Sequence, residues 1–262
     1  MADGTDEDFW GAMCDPAVVN APVPPVPAPR LVVGGTRARD VGLLRRALDE
    51  VLGASLAARP DGGAGSSRRA AGPKDREVAG SAEAAIVERS TTSAPADAPL
   101  EWSLLVPIGP DEDPAVVRAD LVGRLDDVSE RTDLILRTSG STTGTGSLVA
   151  MSASALAASA RAAHSRLGGP GTWVLTLPAH HVAGLQVLVR SLLAGTRPVV
   201  VDTAGGFKPG ALTSGLERAL ASAAGGPVYV PLVPTQLLRV LDEPPAAAVL
   251  ARASAVLVGG AA

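Results

Sequence analysis

The segment WVLTLPAHHVAGLQVLVRSLLAGTRPVVV, residues 173–201, places an amphipathic stretch between two apolar runs. The runs Trp173–Leu177 and Pro198–Val201 have the length and the aliphatic content of buried strands. Between them, His181–Leu193 carries apolar side chains at helical spacing, and Gly195 follows as a common helix terminator. The pattern predicts a strand, a crossover helix and a second strand parallel to the first.

The same alternation continues on both sides of this segment. Further strands are predicted at Leu31–Val33, Trp102–Val106, Leu134–Thr138, Val228–Val230 and Ala255–Val258. Further helices are predicted after Asp40 as cap, from Pro114, over Ser152–Leu167 before Gly168, over Pro209–Ala224 and over Thr235–Leu241. Strands that alternate with helices predict the α/β class, with a mainly parallel sheet flanked by helices.

Composition divides the chain into four regions. Residues 1–29 are an arm that is proline-rich from residue 15 onward and is expected to be extended. Residues 30–58 form the first strand–helix unit. Residues 59–99 are rich in Gly, Ser, Ala and charge without periodicity, and we expect a disordered insertion. Residues 100–262 carry the regular alternation and form the main domain.

Charge and cysteine content exclude several classes of function. The net charge of −4 gives no basic footprint for nucleic acid. Cys14 is the only cysteine, which excludes an internal disulfide and a cysteine-rich zinc site. No apolar run is long enough to span a bilayer, and the acidic start lacks the order of a secretory signal. We expect a cytoplasmic protein, and the sequence leaves its oligomeric state open.

A run of glycines and hydroxyl residues, RTSGSTTGTGSLV at 137–149, lies between two apolar runs. It is neither a Walker A loop, because no lysine is near, nor the dinucleotide fingerprint G-x-G-x-x-G. One interpretation is a flexible surface hairpin. The other is an anion cradle, in which glycines let backbone N–H groups converge and hydroxyls add donors.

The order of these residues resembles the phosphate loop of adenylate-forming enzymes, the acyl-CoA synthetase and ligase superfamily, whose usual form is T-S-G-[ST]-T-G-x-P-K. This copy departs from it in three ways: Thr143 is inserted, Gly146 stands where proline is usual, and Ser147 stands where lysine is usual. The resemblance implies a nucleotide site at Thr138, Ser139, Gly140, Ser141, Thr142, Thr143, Gly144 and Ser147. Loss of the lysine should weaken attraction to the phosphates.

The histidine-containing segment at 164–195 is similar to the o-succinylbenzoate–CoA ligase branch of that superfamily. The resemblance places His181 in the pocket for the acid, and Arg190 is a second candidate partner for a carboxylate. From the residues alone, a solvated helix start explains His180 and His181 as well as a role in binding does. In the same way, Arg190 fits a solvated helix position, and His164 fits a surface position. Adjacent histidines without further ligands do not make a zinc site.

Two later segments agree with this branch. LVPTQL at 232–237 resembles a run beside the acyl pocket, where Thr235 and Gln236 could contact the acid; helix capping is the alternative explanation. VLVGGAA at 256–262 resembles the strand end that lines the adenine site, through Gly259, Gly260 and Ala261.

The resemblance implies an AMP-forming acid–CoA ligase that acts in menaquinone biosynthesis, with a small carboxylic acid, ATP, Mg²⁺ and CoA as its partners. The family's Mg²⁺-binding glutamate and its C-terminal catalytic lysine have no counterpart before Ala262, so no catalytic residue is assigned and we expect the chain to be incomplete. The alternatives are a noncatalytic nucleotide- or acyl-binding remnant of the same fold and an interaction protein that uses its proline-rich arm.

Overall fold

A computed structural model describes residues 29–57, 104–126, 128, 129, 131–138 and 146–260. The predicted disordered insertion at 59–99 and all but the last residue of the predicted arm lie outside the described residues. The strands are β1 Arg30–Val33, β2 Leu105–Ile108, β3 Leu134–Arg137, β4 Leu148–Met151, β5 Thr172–Leu175, β6 Val199–Val200, β7 Val228–Leu232 and β8 Ala255–Val258. The helices are α1 Ala38–Ala57, α2 Pro114–Leu121, α3 Ala153–Leu167, α4 Val182–Leu193, α5 Pro209–Ser222, α6 Pro234–Leu241 and α7 Pro244–Leu250.

The described strands form two four-stranded sheets rather than the single sheet that the sequence predicts. In the first sheet the order is β1-β2-β3-β4, and only the β3–β4 pair is antiparallel. In the second sheet the order is β6-β5-β7-β8, and all pairs are parallel. The α/β class and the mainly parallel pairing are therefore confirmed.

Alternation of side chains along the strands explains the layers of the fold. In β5, Trp173 and Leu175 face a core shared with α1, α3 and α4, whereas Val174 faces a second core with α5, α6 and α7. In the first sheet, Leu134 and Leu136 face the shared core. Ile135 faces a third core with α2. The helices α1, α3 and α4 thus lie between the two sheets, and the remaining helices cover the outer faces.

Helix boundaries follow the capping residues in the sequence. Ser152 precedes α3 and accepts a hydrogen bond from the Ala155 N–H at 3.1 Å, and Gly168 ends the helix with φ of 90°. Asp113 caps α2 in the same way, at 2.8 Å from the Ala115 nitrogen. Asp40 is not a cap, because α1 begins two residues earlier and Asp40 lies in its first turn. The helix α7 is an addition that the sequence analysis did not predict.

The carboxyl ends of both sheets meet at one place in the molecule. After β5 the chain enters β6 on one side of that strand and then returns to β7 on the other side, so the crevice beyond β5 is the usual place for a ligand in such a sheet. The β5–α4 turn reaches the first sheet there, since the Ala179 N–H donates to the Gly35 carbonyl at 3.1 Å.

Candidate functional site

A cavity of about 610 Å³ opens where the carboxyl ends of the two sheets meet. Its wall is built by the turns that follow β1, β2, β3, β5 and β6. The side chains that can bind or react with a polar ligand there are Thr36, Arg37, Asp40, Asp111, Glu112, Arg137, Thr138, His180, His181 and Thr203. The volume is that of an ordinary small-molecule site.

The β5–α4 turn places the histidine pair in this wall. The His181 N–H donates to the Pro178 carbonyl at 3.1 Å, and α4 begins with the next residue. Gly184 allows this turn to pack on α4, because a Cβ at that position would lie 2.3 Å from the Pro178 carbonyl oxygen. His181 is exposed and its side chain makes no capping hydrogen bond, so its imidazole is available to a ligand.

His180 is the half-buried member of the pair. Its Nδ1 forms a hydrogen bond with the carbonyl oxygen of Gly34, and because a carbonyl only accepts, Nδ1 carries the proton. Burial lowers the pKa of His180 and the neighbouring His181 lowers it further, against opposing contributions from the Gly34 carbonyl and Glu112. The ring is therefore neutral near pH 7, with Nε2 as a bare acceptor in the cavity wall.

Glu112 and Arg137 also line the cavity and form an ion pair, with 2.6 Å between Oε1 and Nη1. The second carboxylate oxygen accepts the backbone N–H of Gly109 at 2.5 Å. Burial alone would raise the pKa of Glu112, but the Gly109 N–H, Arg137 and His180 outweigh it and lower the pKa. Glu112 is thus ionised at neutral pH and neutralises part of the charge on Arg137.

The described ends of the glycine–hydroxyl loop are joined at this wall. The Thr138 N–H donates to the Ser147 carbonyl at 2.9 Å, and the Ser147 N–H donates to Thr138 Oγ1 at 2.9 Å. Arg124 donates to the Gly146 carbonyl at 2.5 Å and pairs with Asp120 at 2.7 Å. Thr138 and Gly146 line the cavity. The other predicted loop residues, Ser139, Gly140, Ser141, Thr142, Thr143 and Gly144, lie outside the described residues.

Arg190 lies apart from the cavity lining, in the last turn of α4. Its guanidinium carbon is 4.9 Å from the centre of the Trp173 ring, which is fully buried. Burial lowers the pKa of Arg190, and Nε is buried without a hydrogen-bond partner among the described residues. The structure therefore does not bring Arg190 and His181 into one cavity.

The surface position expected for His164 is wrong. His164 is only 7% exposed, because it lies on the face of α3 that packs against α4. Burial lowers its pKa, and the charge of Arg190 lowers it further, although the Arg190 carbonyl opposes this shift. The alanines beside His164 in the sequence gave no indication of this contact.

Thr235, Gln236, Gly259 and Gly260 form a third location, at the carboxyl ends of β7 and β8. Gln236 Oε1 accepts the Val233 N–H at 3.1 Å, and Thr235 is exposed in the first turn of α6. Gly260 has φ of 76°, and a Cβ there would lie 3.4 Å from Val233 Cγ1. These four residues are therefore neighbours at one edge of the second sheet, whereas Ala261 lies outside the described residues.

Several polar residues of the cavity were not singled out by sequence analysis. They are Thr36, Glu112, Arg137 and the half-buried His180. Asp202, outside the lining, accepts the Thr36 hydroxyl at 3.2 Å. The available signal was position alone, since each lies at or after the end of a strand, at the carboxyl edge of its sheet.

The described residues hold no group of three His, Cys, Asp or Glu side chains that could bind a metal ion. None of the described helices is long and apolar enough to cross a membrane.

Comparison with known proteins identifies relatives over part of the chain. The chain is 42% identical over 156 residues to probable 2-succinylbenzoate–CoA ligases from two strains of Mycobacterium tuberculosis. The match covers 56% of this chain and 39% of the length of those relatives. Over the matched residues the chain is a homologue of these ligases. No protein-family profile matches it.

Among solved structures, the o-succinylbenzoate CoA synthetase MenE of Bacillus subtilis in complex with the acyl-adenylate OSB-AMP is 25% identical, with a TM-score of 0.40. That match covers 50% of this chain and 32% of the synthetase. The same enzyme with ATP and magnesium ion matches at 25% identity and a TM-score of 0.39, over 49% of this chain and 25% of the synthetase. Scores this low support no conclusion about the site.

Proposed function

We propose that this chain carries the nucleotide- and acid-binding part of an AMP-forming acid–CoA ligase, with 2-succinylbenzoate as the acid. The observation that carries the proposal is the 42% identity to curated ligases of that name. The cavity supports it, because Arg137, Thr138 and Gly146 of the loop stem line it together with the histidine pair.

The cavity wall suits a nucleoside triphosphate, because it contains neutral and cationic hydrogen-bond donors. The Thr138 hydroxyl, the Arg137 guanidinium and the backbone at Gly146 line the same wall. Guanidinium forks and hydroxyls are the usual partners of phosphate oxygens. We propose that the loop residues from Ser139 to Gly144, together with Ser147, also bind the phosphates. Gly259, Gly260 and Ala261 would then line the adenine.

For the acid, we propose that His181 contacts the substrate and that Arg190 pairs with a carboxylate. The buried Nε of Arg190 has no hydrogen-bond partner among the described residues, and an anionic ligand would offset the cost of burying that charge. Arg190 lies on Trp173, outside the cavity lining and more than two helical turns from His181, so its contact with the acid would be separate from that of His181. Thr235 and Gln236 would lie on the far side of the acid.

In the proposed reaction, the carboxylate of the acid attacks the α-phosphorus of ATP and pyrophosphate leaves, which forms an acyl-adenylate. The thiol of CoA then displaces AMP. The described residues would bind the phosphates and orient the carboxylate for the first step. No step is assigned to a metal ion held by these residues, and CoA is assigned to the complete enzyme.

The test is the binding of ATP and 2-succinylbenzoate to the whole chain by titration calorimetry, combined with ATP–pyrophosphate exchange. Binding of both ligands with exchange supports the ligase. Binding without exchange supports the noncatalytic remnant instead. If neither ligand binds at millimolar concentration, the proposal is wrong. Succinate, which lacks the aromatic ring, serves as the matched control acid.

A further inference from the structure

We propose that Arg137 is the phosphate-binding cation of this cavity and that it stays paired with Glu112 until a polyphosphate displaces the carboxylate. This inference rests on the proposed nucleotide site and adds a residue that the loop resemblance does not include. The ligand class is an inorganic or nucleoside polyphosphate.

The position of Arg137 supports the role. It is the last residue of β3, its side chain is 25% exposed, and it lines the cavity beside Thr138. The adjacent strand β4 begins at Leu148, which is its direct pairing partner. The guanidinium therefore projects from the stem of the glycine–hydroxyl loop.

Positive charge in the cavity wall is limited. Its described lining contains two arginines, Arg37 and Arg137, no lysine, and the three carboxylates Asp40, Asp111 and Glu112. Arg37 is exposed in the turn that follows β1, whereas Arg137 ends β3 next to Thr138. Arg137 is therefore the lining arginine at the loop stem.

The strand register explains how Arg137 could supply the positive charge that the lysine of the phosphate loop would otherwise supply. The resemblance places a lysine where this chain has Ser147. Thr138 and Ser147 are joined by backbone and hydroxyl hydrogen bonds across the stem. Arg137 is the chain neighbour of Thr138, so a cation absent from one strand of the stem is present on the facing strand.

The carboxylates around Arg137 define its resting state. Glu112 contacts Nη1 at 2.6 Å and is itself held by the Gly109 N–H, while Asp120 lies 3.8 Å from Nε. Ion pairs with this degree of exposure are weak and are screened by salt. A polyphosphate carries several charges and can accept both arms of the guanidinium fork, so it can displace one carboxylate.

The experiment measures dissociation constants of ATP, tripolyphosphate and AMP by calorimetry for the whole chain and four variants. Arg137→Gln should weaken ATP and tripolyphosphate about tenfold and AMP less than about twofold, because AMP lacks the outer phosphates. Glu112→Gln should tighten the two polyphosphates by about threefold, since it frees the guanidinium. Arg166→Gln, an exposed arginine in the last turn of α3, is the charge-matched control and should change nothing.

Circular dichroism checks that each variant is folded. If the affinity is lost because the positive charge is removed, and not because the variant misfolds, Arg137→Lys should recover part of it. Equal losses for AMP and ATP, or no loss in Arg137→Gln, would overturn the inference while the ligase proposal stands on acid binding and exchange. Failure of the unaltered chain to bind any polyphosphate would overturn both.

Discussion

The Nδ1–H of His180, just after β5, donates to the backbone carbonyl of Gly34, just after β1, and so joins the two sheets beside the cavity. The contact links residues 146 positions apart in the chain. A Cβ on Gly34 would lie 3.1 Å from the backbone nitrogen of His180 and 2.6 Å from Leu44 Cδ2, so a glycine at position 34 allows the close approach.

Removal of this bond should destabilise the fold. His180→Phe keeps an aromatic ring but leaves the Gly34 carbonyl without its partner, which should lower the free energy of unfolding by about 1–2 kcal/mol. His181→Phe, at the exposed neighbouring position, should change it by less than about 0.5 kcal/mol. Urea denaturation of the two variants is the measurement. Equal effects would show that the cross-sheet bond contributes nothing.

Stability should fall as the pH falls below about 6.5, the ordinary pKa of histidine. Burial, and then the charge of Arg190, lower the pKa of His164 in the folded chain, and burial lowers that of His180. The unfolded chain therefore binds more protons in the window just below 6.5, and the stabilisation present above it is lost on acidification. The free energy of unfolding at pH 7.5 and 5.5 should differ less in His164→Gln than in the unaltered chain. If the variant shows the same difference as the unaltered chain, the lowered pKa of His164 does not contribute to the pH dependence.

Gly184→Ala should disturb the β5–α4 turn. The added methyl group would overlap the Pro178 carbonyl, so α4 must shift, at a cost of about 1–3 kcal/mol. Gly42→Ala is the matched control in α1, where a Cβ meets nothing within 4 Å, and it should stabilise the chain by about 0.5–1 kcal/mol. Thermal denaturation distinguishes the two, and a stabilised Gly184→Ala variant would show that the turn tolerates the group.

Arg190→Met should separate acid binding from stability. The methionine retains apolar contact with Trp173 but removes a half-buried charge whose Nε has no hydrogen-bond partner among the described residues, so the fold should be as stable as before or more stable. Binding of 2-succinylbenzoate should weaken at least about tenfold while ATP binding is unchanged. Calorimetry with both ligands measures this, and retained acid binding would remove Arg190 from the site.

The sequence predicted those features that depend on neighbouring residues. Ser152 and Gly168 bound α3 as expected, and Ala255–Val258 is the strand that was predicted. In α1, Leu44, Ala47, Leu48 and Leu52 are buried at helical spacing. Capping residues, terminating glycines and apolar spacing act over a few positions, so they can be read directly from the order of residues.

Features that depend on distant residues were not predictable in this way. The division into two sheets depends on which strands pair, and His164 is buried because α3 packs on α4. The Glu112–Arg137 pair joins α2's entry turn to the end of β3, 25 positions later. Nothing in the local pattern of either segment specifies such a partner. The unpredicted helix α7 opens with a proline pair, and proline is well tolerated in a first turn.

The packing of Trp173 against Tyr229 gives the protein an intrinsic fluorescence reporter. The ring centres are 5.0 Å apart, both residues are fully buried, and the chain contains no other tyrosine. Light absorbed by the phenol should therefore pass to the indole, and the folded chain should show almost no tyrosine emission. The phenol hydroxyl is held by the carbonyls of Leu167 and Gly169 at the end of α3, each at 3.0 Å. Emission near the tyrosine wavelength would consequently mark the moment at which β5 and β7 of the second sheet separate.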